Sequence, residues 1–207
     1  MKKCVVLISS GFDSSVAAYL MSKNCDVILL HFDSWPFVSG KSLDRVKSLR
    51  KVLEKFTGKK FVLYCISNAL VQKRLYENLG ALRCVLCKRS MYKLAGVVAK
   101  KLSADFLVTG DNVGQVASQT ISNLKILDAA VELSVLKPLI AYDKQEIISL
   151  SKSIGTFSIS SLPGISCKIV PNRPATKSIL DDVERLEKKL DLDIVFKDCL
   201  STLKLVK

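Results

Sequence analysis

The chain has 207 residues, 49% of them apolar, enough for one large packed domain or a domain with a small appendage. No apolar run approaches the ~18–20 residues of a membrane span, and the run after Met1-Lys2-Lys3 is too short for a signal peptide, so a cytoplasmic protein that engages no membrane is expected. Against 19 Asp and Glu stand 32 Lys and Arg, a net charge of +13 that favours a polyanionic partner, nucleic acid first, with a generally basic surface as the plainer alternative.

Cys4-Val5-Val6-Leu7 reads as a buried strand, and Ile8-Ser9-Ser10-Gly11-Phe12-Asp13-Ser14-Ser15 as a tight turn leading into a helix marked by Val16, Ala17, Tyr19 and Leu20. Val27 to Phe32 is a second strand with His31 near its end. A helix from about Lys41 to Phe56 carries Leu43, Val46, Leu49, Val52 and Leu53, and Thr57-Gly58 closes it. Phe61 to Cys65 is a third strand, followed by helical patterns near 68–79 and 89–102. Asp105 to Thr109 is a fourth strand ending at Gly110, residues 113–123 form a short helix, and Leu133 to Leu136 a fifth strand. Asp143 and Glu146 have capping-box spacing at the start of another helix. Pro163, Pro171 and Pro174 mark irregular chain before a charged helix near 177–190, and 190–207 carries no readable pattern.

Strands alternating with helices predict an α/β fold with an open, mostly parallel five-stranded sheet flanked by helices. The expected division is a main domain over 1–175 and a C-terminal helical extension, 176–207, packed on it. Ligands in such sheets sit beyond the carboxyl ends of the strands, where the Ser9 loop, His31, Gly110 and the segment after Leu136 converge.

A strand, a Ser/Gly loop and a helix N-terminus make an anion site from backbone N–H groups, the helix dipole and serine hydroxyls. The Gly-Lys-Ser/Thr ending of a Walker A loop is missing. The loop resembles instead the PP-loop of ATP pyrophosphatases, Ser-Gly-Gly-x-Asp-Ser, with Ser10 where glycine is usual. If that position needs a positive φ, serine there carries strain. Asp13 holds Mg²⁺ or orients a loop donor, or is an ordinary helix cap.

Thr109-Gly110-Asp111-Asn112-Val113-Gly114-Gln115-Val116-Ala117-Ser118-Gln119-Thr120 is more distinctive. With Asn123-Leu124, Pro138-Leu139-Ile140, Asp143-Lys144, Pro163, Cys167 and Arg173-Pro174, it resembles the PP-loop domain of tRNA 4-thiouridine synthetases, the ThiI family, historically tied also to thiamine biosynthesis. The resemblance implies an ATP-dependent sulfurtransferase that adenylates a tRNA uridine and replaces its carbonyl oxygen with sulfur. It further implies that Leu7, Ile8, His31, Phe32, Gly110 and Gln119 line the adenosine site. Ser9, Ser10, Gly11 and Ser14 would meet the departing pyrophosphate, Lys88 would neutralise phosphate charge, and Lys144 would take part in catalysis. For His31 a general base and a structural role remain open, and for Lys144 a solvated first-turn lysine does.

Seven cysteines in a chain of this type argue against a disulfide framework. Cys4, Cys25 and Cys65 lie in or beside strands as core residues. Cys84-Val85-Leu86-Cys87 has the spacing of a metal, cluster or redox pair, and Arg83, Lys88 and Arg89 are expected to favour thiolates. By resemblance to archaeal-type members, Cys84, Cys87 and Cys167 form a three-cysteine site for an iron–sulfur cluster, [4Fe-4S] or [3Fe-4S]. A Cys167 persulfide resolved by Cys84 or Cys87, structural zinc and inert thiols are the alternatives. Sulfur would then arrive as sulfide or from a persulfide donor. The family's THUMP and rhodanese regions have no counterpart in these residues, so a separate THUMP-containing tRNA-binding protein is expected, and a homodimer more weakly. Two other functions stay open: a sulfurtransferase for another uridine position or a thiamine precursor, and a non-catalytic tRNA- or cluster-binding subunit.

Overall fold

A computed structural model describes residues 1–207. Its centre is a six-stranded sheet in the order β5-β4-β1-β2-β3-β6, built from β1 (Lys2–Leu7), β2 (Cys25–Asp33), β3 (Val62–Ser67), β4 (Phe106–Val108), β5 (Val135–Leu136) and β6 (Lys204–Val206). All pairings are parallel except β3 with β6. The helices are α1 (Phe12–Ser22), α2 (Ser42–Thr57), α3 (Ala69–Asn78), α4 (Arg83–Lys101), α5 (Ile121–Asp128), α6 (Lys144–Ser153), α7 (Phe157–Ser160), α8 (Leu180–Lys189) and α9 (Leu192–Ser201). None of them is long and apolar enough to cross a membrane.

Alternate strand residues face opposite sides of a sheet, and the core divides accordingly. Val5, Ile28, Leu30 and Leu107 pack with α3, α4, α5, α8 and α9. Cys4, Val6, Val27, Leu29 and Val108 pack on the other side with α1, α2 and α6. Burying each such side chain contributes about 1.5–3 kcal/mol, so both helical layers are needed to cover a sheet apolar on two faces. Cys4, Cys25 and Cys65 sit in this core as expected, and Cys199 is fully buried in the other layer.

The expected fold class holds, with four differences in detail. The sheet gains a sixth strand, because Lys204–Val206 adds antiparallel to β3; three residues are too short to show alternation. The helix placed at 89–102 begins six residues earlier, at Arg83, without a side-chain cap to announce it. Residues 113–116 are not helical: Gly114 has φ +79°, a single 3-10 turn spans Ala117–Gln119, and α5 starts only after the Thr120 cap. The short α7 and α9 carried no recognisable start signals; Asp191, ahead of α9, is itself left-handed at φ +48°.

Two helix ends matter for the site. α6 opens with a complete capping box, Asp143 accepting from the Glu146 N–H while Glu146 accepts from that of Asp143. α2 closes on Gly58 at φ +69°, the left-handed conformation glycine adopts without a Cβ penalty.

Candidate active site

Strand order turns between β1 and β4, the point at which open α/β sheets form a crevice. A cavity of about 660 Å³ opens at that carboxyl edge. Around it lie Leu7, Ile8, Ser9, Ser10, Gly11, Asp13, Ser14, His31, Phe32, Lys88, Gly110 and Gln119, together with Cys84, Cys87 and Cys167. Lys144 is not part of the lining; it reaches Asp13 from the rim.

The loop after β1 is braced by its own serines. Ser14 Oγ accepts from the Ser9 N–H at 3.0 Å and lies 3.0 Å from Ser9 Oγ, which accepts from the Gly11 N–H at 3.2 Å. Gly11 occupies the N-cap position of α1 and offers no side-chain cap, so the first-turn N–H groups face an incoming anion. The only non-glycine residues with positive φ are Ser103 and Asp191. Ser10 therefore takes the place of glycine without backbone strain. Asp13 does not cap the helix either: its carboxylate meets Lys144 Nζ at 3.1 Å. The same ammonium lies 3.3 Å from Gln115 Oε1 and 5.6 Å from the centre of the Phe12 ring. A cation in the first turn of α6 opposes the helix dipole, and the Asp13 carboxylate supplies the anion that offsets it.

Gly110 explains how β4 and α1 come together. A Cβ there would lie 2.6 Å from both Asp13 C and Ser14 N, so the close approach is between two stretches of protein backbone. The sequence suggested an approach to nucleotide; the glycine serves first to seat the end of β4 against the first turn of α1.

His31 is buried, and burial lowers its pKa. Neutral imidazole satisfies both neighbours: Nδ1 lies 3.0 Å from the Ile8 carbonyl and donates to it, and Nε2 accepts from Ser42 Oγ at 3.3 Å. With both nitrogens committed, the ring fixes the end of β2 and is not placed as a general base.

Asp111 is the central residue the sequence reading left unassigned. Its buried carboxylate accepts from Lys88 Nζ at 2.7 Å, Tyr92 OH at 2.6 Å, Gln119 Nε2 at 2.9 Å and Thr109 Oγ1 at 2.9 Å. Burial acts to raise its pKa, but the Lys88 charge and these donors outweigh it and hold the group well below the usual carboxylate range. Burial and the Asp111 charge together push the Tyr92 phenol far upward, so Tyr92 remains a donor. The signal was present in Gly110-Asp111, a carboxylate directly after a strand-end glycine. Its four partners come from the residue just after β4, from α4 and from the 3-10 turn, and no sequence spacing links them.

Cys84 and Cys87, three residues apart on the first turns of α4, face the cavity with Cys167, which lies on the irregular chain after α7. Desolvation raises the Cys84 thiol, with the nearby Cys167 adding to it, although Arg83 and Lys88 pull the other way. Burial pushes Cys87 up to about 11 despite the Gln72 and Asn68 amides, whose nitrogens lie 3.7 and 3.5 Å from its sulfur. The expected electropositive help is therefore smaller than the sequence suggested, and Arg89 gives none. Two positions beyond Cys87 it points about 200° away around the helix, where Glu187 (3.0 Å), Glu184 (3.0 Å) and the Ile126 carbonyl (2.6 Å) hold it. No group of three or more His, Cys, Asp or Glu is arranged around a single metal ion. A cluster, whose ligands are spread over its corners, asks only that the three sulfurs face one space.

The model of the ThiI thiamine biosynthesis protein family matches residues 1–192. Among curated relatives, a probable tRNA sulfurtransferase of Finegoldia magna is 37% identical over 98% of this chain and 53% of its own length. One of Methanobrevibacter smithii is 43% identical over 88% of the chain and 49% of its own length. A crystal structure of a 4-thiouridine synthetase in complex with RNA and ATP superimposes on all of this chain with a TM-score of 0.92 at 30% identity, covering 55% of that protein. The chain thus spans about half the length of the curated relatives it matches.

Proposed function

The chain belongs to the ThiI family, and we propose that it is an ATP-dependent tRNA sulfurtransferase that adenylates a uridine and replaces its carbonyl oxygen with sulfur, forming 4-thiouridine. The observation that carries this reading is the placement of the Ser9–Ser14 anion loop and three thiols around one cavity.

A uracil carbonyl oxygen is a poor leaving group. Attack of O4 on the α-phosphorus of ATP forms an O–P bond and breaks the bond to pyrophosphate. Charge then grows on the β,γ unit, opposite the α1 N–H groups and the Ser9, Ser10 and Ser14 hydroxyls. Leu7, Ile8 and Phe32 give adenosine an apolar wall continued by Gly110 and Gln119, while Lys88 borders the phosphate side. Asp111 already accepts four hydrogen bonds, which leaves Asp13 as the carboxylate able to turn toward a largely hydrated Mg²⁺. Releasing Asp13 frees Lys144 to meet phosphate. Sulfide then attacks C4, the C4–O bond breaks, and AMP departs with the oxygen.

For sulfur supply we favour an iron–sulfur cluster on Cys84, Cys87 and Cys167, with the Asn68 and Gln72 amides directed at Cys87. Three protein ligands on a [4Fe-4S] cube would leave one iron open to sulfide. A Cys167 persulfide resolved by Cys84 or Cys87 is the competing route. The same proposal includes tRNA as substrate, a separate THUMP-bearing protein to position it, a homodimer and a cytoplasmic setting. It also divides the chain into a catalytic domain, 1–175, and an extension, 176–207; β6 and the α8–α9 side chains in the core support close packing of the two.

Anaerobic protein supplied with ATP, sulfide and unmodified tRNA should yield 4-thiouridine, AMP and pyrophosphate. ADP without pyrophosphate overturns the activation step. Iron content and absorption of wild type against Cys167→Ala separate the sulfur routes, since a colourless, iron-free wild type leaves only the persulfide.

A further inference from the structure

The segment Leu162–Pro174 bears Cys167 and has no helix or strand of its own. Something else must hold its sulfur at the cavity. On one side Arg45, from α2, donates to the Leu162 carbonyl at 2.5 Å and also to that of Pro163. Near the middle, the Lys168 N–H donates to the Phe37 carbonyl at 2.9 Å. On the other side Arg83, the first residue of α4, donates to the Ile169 carbonyl at 2.6 Å. Beyond it the Ala175 N–H donates to the Ala81 carbonyl at 3.0 Å, just ahead of α4.

Arg83 is the informative member. A cation at the first position of a helix opposes the dipole, so its presence needs local compensation. It obtains this from the Leu79 carbonyl, from the Tyr76 ring 5.0 Å away and from Ile169. Arg83 also precedes Cys84 in the chain and lines the cavity. One guanidinium therefore ties the segment two residues after Cys167 to the helix turn that presents Cys84 and Cys87.

We propose that Arg83, seconded by Arg45, is a positioning residue that clamps the Cys167 segment by its carbonyls and so sets Cys167 against Cys84 and Cys87. The clamp acts on backbone and is indifferent to side-chain identity along the segment. It serves a cluster and a persulfide equally, since both need the three sulfurs at one place. Its catalytic consequence rests on the sulfurtransferase reading; its structural half does not.

Hydrogen exchange of the intact protein followed by mass spectrometry tests the structural half. Arg83→Met and Arg45→Met should each speed exchange in 162–175 by about tenfold, the scale of one charge-assisted hydrogen bond, with the sheet and the helices away from the two arginines unchanged. Arg83→Lys should recover part of the protection, and Arg74→Met, an exposed arginine on neighbouring α3, should have no effect. In turnover, Arg83→Met should lower kcat for thiolation about tenfold or more while KM for ATP stays within about twofold, again with partial rescue by lysine. Wild-type exchange in both Met variants overturns the clamp, as does a kcat unchanged in Arg83→Met. Faster exchange in a chain whose wild type performs no thiolation supports the clamp and removes the sulfurtransferase reading instead.

Discussion

At the scale of single residues, the site is governed by which charges are already paired. Asp111 is ionised and enclosed, whereas Asp13 is held by one exchangeable ion pair with Lys144. Asp111→Asn should destabilise the fold by about 2–3 kcal/mol, below the range for a fully buried pair because Lys88 is partly exposed. Urea unfolding reads that loss. The pH dependence follows in sign: a carboxylate depressed in the fold stabilises above its unfolded pKa of ~3.9 and loses that contribution as pH falls through the folded value. Stability of the wild type should therefore drop below about pH 4 more steeply than that of Asp111→Asn. His31 has the same sign at higher pH. Its folded pKa is lowered, so below ~6.5 the unfolded chain gains a proton that the folded chain refuses. Thermal midpoints at pH 7.5 and 5.5 should converge in His31→Gln relative to wild type. Lys144→Ala and Asp13→Ala should leave the fold intact and lower ATP-dependent turnover by about 100-fold or more, the scale of a lost electrostatic contact in a transition state.

At the scale of elements, much of the architecture was written in local signals. Val27–Phe32, the Leu43-to-Leu53 stripe and the Asp143–Glu146 pair each announced their element, because period, cap and burial agreed there. What escaped notice had no local mark. The start of α4 is uncapped, β6 has three residues, and the Asp111 cluster is assembled from three distant segments. The loop and cysteine positions could be named from motif and resemblance, while the roles of Arg45 and Tyr92 and the carbonyl contacts of Arg83 could not, since their partners are carbonyls or far side chains. Gly110 is the tightest element junction. Gly110→Ala forces β4 from the backbone of Asp13 and Ser14, and about 2–3 kcal/mol of overpacking should lower Tm by roughly 5–10 °C and weaken ATP binding with it. Asp143→Ala removes half of a capping box at about 1 kcal/mol, yet it should reduce turnover further than that, because the box fixes the residue next to Lys144.

At the scale of the whole molecule, a net charge of +13 predicts RNA binding that weakens steeply with salt, as phosphate contacts release counterions. A filter-binding titration from 50 to 200 mM salt, a range set by ordinary counterion-release behaviour, should show a linear fall of log affinity against log salt. A flat line would point to a partner that is not a polyanion. Within its layer α4 presents Cys84, Cys87 and Lys88 to the cavity and, on another side, the buried Arg89, 2% exposed, locked to Glu187 and Glu184 of α8.

That two-sidedness bears on how the chain can diverge. Lys88 and Arg89 are adjacent cations with opposite duties, one reaching Asp111 at the cavity and the other anchoring α8. Substitutions along α4 can be absorbed one at a time, but a single inserted or deleted residue after Cys87 turns everything beyond it by about 100°. An insertion carries Lys88 into the position Arg89 now holds among the α8 carboxylates, and a deletion carries Arg89 toward Asp111, so either change breaks both pairings. Descendants of this sequence should consequently vary in the lettering of α4 while its count of residues stays frozen.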